Sequence, residues 1–100
     1  MKFILKSSEV KDNISNIMRN ISYISQGRSD YGEYNLARPL DRNGYPRFHL
    51  YLKIDGEDFI FNLHLDQKKP SYSGTTAHSG EYESEAVRGE AERIKQILIK

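Results

Sequence analysis

The chain contains no cysteine. That excludes disulfides and every metal site built on thiolates, and it fits a reducing cytosol. It also lacks a charge imbalance: 15 Lys and Arg face 14 Asp and Glu, for a net charge of +1. A balance this even supplies no long-range attraction to a nucleic-acid polymer or an anionic membrane. Long apolar runs are missing as well. The opening "MKFILKSSEV" holds only three consecutive apolar residues, Phe3 to Leu5, too few for a secretory core or a membrane span. A cytoplasmic protein with no membrane partner is therefore expected. The motifs of familiar chemistry are absent too: no G-K-[ST] phosphate loop, no G-x-S-x-G elbow, no H-E-x-x-H, no dinucleotide glycine fingerprint, and no zinc-finger or RNA-recognition aromatic signature.

What is present is ordinary for a globular domain. Of the 100 residues, 37% are apolar and 29% charged, so residues 1–100 are expected to form a single domain around one core. A short strand is expected over Lys2–Leu5. From Ser8, the apolar residues Val10, Ile14, Ile17, Met18, Ile21 and Ile24 recur at helical spacing, which predicts one amphipathic helix capped at Ser7 or Ser8 and ended by Gly27. Tyr31–Ala37 reads as a strand, followed by the loop "ARPLDRNGYPR" with its Asn43-Gly44 turn signal. The polar stretch "QKKPSYSGTTAHSGE" reads as a loop. A last helix runs from Tyr82 or Ser84 to Leu98, with Ala86, Val87, Ala91, Ile94, Ile97 and Leu98 as its stripe. Gly89, a poor helix former, suggests close packing there.

The most legible stretch is "RFHLYLKIDGEDFIFNLHLD", Arg47 to Asp66. Two alternating runs flank Asp55-Gly56, a strong hairpin signal. A two-residue turn at Asp55-Gly56 closes on Ile54 and Glu57. It pairs Leu52 with Phe59, Leu50 with Phe61 and Phe48 with Leu63, all on one apolar face. The opposite face then carries Arg47, His49, Tyr51 and Lys53 against Asp58, Ile60, Asn62 and His64. In that register His49 faces Asn62, and His64 is its diagonal neighbour. The whole is an α+β protein of order (β)αβββα: a two-layer sandwich with a three- or four-stranded antiparallel sheet and two helices on one face.

The polar sheet face is the candidate site. Two histidines, a stacking ring and cations suit a phosphate-bearing ligand, a nucleotide or RNA. Arg47, Tyr51, Asn62 and Lys68 would line it, with His78 approaching from the loop. If the protein is an enzyme, His49 and His64 are the acid and base of a phosphodiester cleavage, with no cofactor. A second reading is a divalent metal held by His49, His64, Asp66 and His78, whose nitrogen and oxygen donors suit Zn, Mn, Fe or Ni. A third is a protein partner, as for an inhibitor or antitoxin-like accessory protein without catalysis, which the balanced charge and acidic last helix favour. Against all three stands the plain expectation that the solvent side of a half-buried sheet is polar anyway.

The order αβββα resembles the double-stranded-RNA-binding topology, which would imply RNA as ligand. That topology carries a basic patch at the start of its last helix, where this chain has "GEYESEAVRGEAE". In size, and in mounting His, Arg, Lys and Tyr on a small antiparallel sheet, the chain is also similar to small RNA-cleaving toxins. It shares no motif with either, and no family is assigned.

Overall fold

The computed structural model describes residues 1–67, 80–81 and 83–99. In chain order the elements are β1 (Lys2–Lys6), α1 (Ser7–Val10), α2 (Ile14–Asn20), β2 (Ile24–Arg28), β3 (Tyr34–Pro39), β4 (Arg47–Asp55), β5 (Asp58–Asp66), β6 (Gly80–Glu81) and α3 (Glu85–Leu98). The α+β class is as expected. The sheet is larger, however: an antiparallel path β1-β5-β4-β3-β2, with the short β6 also pairing to β5. Among the described residues three helices stand where two were expected.

Apart from β6, in a stretch expected to be loop, both differences arise between Ser7 and Arg28. The single helix expected there is broken at Lys11, which takes a left-handed conformation (φ 59°). Asn13 then caps a new start, its side chain accepting from Asn16 N at 2.8 Å. Asp and Asn compete with helical hydrogen bonds through their own side chains, so Lys11-Asp12-Asn13 restarts the helix rather than continuing it. α2 stops at Asn20, and Ser22 (φ 68°) reverses the chain. Ile24 and the residues after it form a strand, not a last helical turn. Gly27 (φ 106°) sits at a register shift in that strand instead of ending a helix, a usual role for glycine at a bulge. β2 is exposed along its whole length and so has no alternating apolar signal to reveal it.

The hairpin keeps its faces but not its register. The turn residues are Gly56 and Glu57, between the paired Asp55 and Asp58. Gly56 takes φ 61°, a conformation that suits glycine in a tight hairpin turn. The pairing is thus displaced by two residues: Leu52 faces Phe61, Leu50 faces Leu63, and Phe48 faces Leu65. An even displacement leaves every side chain on its expected face. It changes only the partner across the strand, and for the site that is decisive.

The apolar face is the core. Leu50, Leu52, Phe61 and Leu63 are buried in one cluster with Val10, Ile17 and Ile21 from the N-terminal helices and Val87, Ala91, Ile94 and Leu98 from α3. Phe3 of β1 stacks on Phe61 with ring centroids 4.8 Å apart. Ser84 caps α3, accepting from Val87 N. Gly89 does not mark close packing: a methyl group there would meet no atom within 4 Å. Among the described residues no helix is long and apolar enough to cross a membrane.

One buried group went unread in the sequence. Glu90 lies three residues after Val87 and four before Ile94, on the apolar stripe of α3, and is buried. Its carboxylate accepts from Tyr23 Oη at 2.7 Å, twice from Arg38 at 2.9 and 3.0 Å, and twice from Arg93 at 2.8 and 3.0 Å. Arg93 also donates to Ile21 O at 2.6 Å. The network ties α3 to β3 and to the end of α2. Its signal was available: a glutamate at core spacing needs buried donors.

Candidate metal centre on the polar sheet face

Strand alternation puts the odd-numbered residues of β4 and the even-numbered residues of β5 on the face away from the helices. With the observed register, His49 lies directly opposite His64, and Arg47 opposite Asp66. Tyr51, not His49, faces Asn62. The two imidazole rings are 4.8 Å apart between centroids, and Tyr51 adds a third ring 4.7 Å from His49.

Asp66, at the end of β5, gathers the group. Its Oδ1 is 3.0 Å from His64 Nε2, and its Oδ2 is 3.5 Å from both His49 Nδ1 and Arg47 Nε. One ligand atom from each of His49, His64 and Asp66 lies within 4.8 Å of the others. On the far side of its ring, His49 Nε2 hydrogen-bonds Asn35 Oδ1. An amide oxygen only accepts, so Nε2 is the donor in that bond, while Nδ1 is the nitrogen that faces Asp66. Asn35 comes from β3, where it pairs with Tyr51. Alternation in "YNLAR" assigns Asn35 to the polar face, but the β3–β4 register that brings it to His49 could not be read in advance.

Burial sets the protonation of the pair. It pushes His49 down to about 4, and the neighbouring His64 and Arg47 charges push the same way against the pull of Asp66. Burial lowers His64 too, opposed by Asp66 and reinforced by the N-terminal ammonium and Arg47. Both shifts favour the neutral imidazoles.

Beside His64 the face opens into a cleft of about 430 Å3 lined by Met1, Glu33, Tyr51, Asn62, Leu63 and His64. The structure thus brings His49, His64, Asp66 and Arg47 together, with Tyr51 and Asn62 adjoining. Lys68 and His78, expected at the same face, lie outside the described residues. The chain matches no protein-family model, no curated protein and no solved structure.

Proposed function

We propose that this protein binds a divalent first-row metal ion through His49 Nδ1, His64 Nε2 and an Asp66 oxygen. The observation that carries the reading is the convergence of these three donors, with Asn35 holding the His49 proton on the opposite nitrogen. Metal-ligating histidines commonly donate their other N–H to an oxygen acceptor, which fixes tautomer and orientation. Two ligands at ~2.1 Å from an ion are ~3.4 Å apart in a tetrahedral site and ~4.2 Å apart when trans, so donors separated by up to 4.8 Å must close inward by roughly 1 Å as the ion binds. Neutral imidazole is the ligating form, and burial holds both rings there. Two imidazoles and a carboxylate suit Zn, Mn, Fe, Co or Ni better than Mg or Ca. Three protein ligands leave at least one position for water or a ligand, the arrangement of a metal that acts as a Lewis acid or activates bound water.

The same features weigh against unaided acid–base catalysis by the two histidines. That chemistry needs one imidazolium at working pH. It also needs access, whereas His49 is only 8% exposed and has both nitrogens near partners.

The test is calorimetric titration of chelator-stripped protein with Zn2+ and, separately, Mn2+. One site per chain is expected. Asp66→Ala and His64→Ala should each abolish it, and Asn35→Ala should weaken it roughly 10- to 100-fold. Uptake that is absent, or unchanged in Asp66→Ala and His64→Ala, refutes the reading.

A further inference from the structure

With a divalent ion in place, the ion and the Arg47 guanidinium together face one carboxylate among the described residues, Asp66. The remaining donors are neutral rings. A surplus of positive charge in a half-buried site draws an anion into the open metal positions. Of the three donors, His64 also lines the neighbouring cleft, whose volume of about 430 Å3 is far larger than a lone phosphate requires and falls in the small-molecule range.

The cleft is graded from end to end. His64 borders the metal. Next come Tyr51 and Asn62, paired across the strands, which offer an aromatic ring and an amide side by side. Farther still is Glu33, just before β3 and thus near the level of Lys53, two residues beyond Tyr51 along β4. A carboxylate at that end repels a phosphate but accepts N–H groups. The polarity therefore runs from an anion-seeking end through a stacking surface to a donor-seeking end. A mononucleotide has this order: phosphate, sugar, then a flat base with an amino edge.

We infer, on the basis of the metal reading above, that the cleft takes a mononucleotide: its phosphate on the open metal positions, its base on Tyr51, and the amino edge toward Asn62 and Glu33. Tyr51 and Asn62 are thus specificity-determining residues, and the ligand is a small molecule rather than a nucleic-acid strand. The net charge of +1 agrees, since strand binding rests on many phosphate contacts.

The experiment uses the whole chain carrying one equivalent of Zn2+ in phosphate-free buffer. AMP, ribose 5-phosphate, adenosine and inorganic phosphate are titrated in parallel. Base stacking favours AMP over ribose 5-phosphate by about tenfold or more, and Tyr51→Leu should bring that ratio close to one. Chelator-stripped protein should bind AMP at least about tenfold more weakly, as loss of a charge-assisted phosphate contact requires. The inference is overturned if AMP binds no better than inorganic phosphate, if stripped protein binds AMP equally well, if Tyr51→Leu keeps the full ratio, or if an oligoribonucleotide binds far more tightly than AMP. The zinc titration alone separates the two readings. Protein that takes zinc but ignores AMP overturns this inference and leaves the metal centre standing, while protein that takes no zinc overturns both.

Discussion

Replacing Glu90 with leucine tests whether the buried charge network holds α3 to the sheet. The glutamate side chain is 2% exposed, while its partners Arg38 and Arg93 keep 28% and 32% of theirs in solvent. Burial alone would raise the carboxyl pKa, but hydrogen bonds from Arg93, Arg38 and Tyr23 outweigh it and hold the group below its ordinary value of 4.5. Glu90→Leu leaves two guanidinium groups and a phenol without their acceptor. Breaking a buried ion pair from one side costs about 3–5 kcal/mol. Because both arginines can turn partly to water, the low end, about 3 kcal/mol, is expected. For a domain of this size that lowers Tm by roughly 12–24 °C. Urea and thermal unfolding followed by far-ultraviolet circular dichroism give the measurement. Glu92→Leu, at a largely exposed position on the same helix, should change stability by less than about 0.5 kcal/mol. The sign with pH follows from the lowered pKa. The Glu90 contribution is complete above 4.5 and is lost as pH falls through the lower folded-state value. The gap between wild type and Glu90→Leu should therefore close in acid. A variant within about 0.5 kcal/mol of wild type at pH 7, or a gap indifferent to acid, refutes the reasoning.

Two further predictions concern the sheet. His49 is held near 4 in the folded protein against 6.5 in an open chain, so between those values the unfolded state binds more protons. Metal-free protein should keep its full stability above pH 6.5 and lose up to about 3 kcal/mol as pH falls toward 4; a urea midpoint that stays flat from pH 7 to pH 4.5 contradicts this. Leu50, fully buried at the centre of the apolar face, should cost about 2–5 kcal/mol when truncated to alanine, with the loss read in the urea midpoint at unchanged slope. A cost below about 1 kcal/mol there would mean that this face is not the core.

The elements differ in how much of them could be read. α3 was legible almost to the residue, because Ser84 caps it and its apolar stripe repeats cleanly. The hairpin faces were legible because period-two alternation survives any even shift in register. In the N-terminal region a helical spacing of apolar residues continues past two interruptions, Lys11–Asn13 and Ser22, where backbone conformation overrides the pattern. β2 left no trace, since an edge strand exposed on both faces needs no apolar alternation. Glu90 sits among several glutamates of an acidic segment, which masks a spacing that places it with the core residues.

The sequence by itself determined that His49, His64 and Asp66 share the polar face of one hairpin, because parity along a strand is a local property. Which of them meet was decided only in three dimensions. The turn at Gly56-Glu57 moved the pairing by two residues and set His49 against His64, and a neighbouring strand supplied Asn35 to orient the first imidazole. Register and strand neighbours depend on turn geometry and on packing between distant segments. Neither is written in the alternation of a single strand.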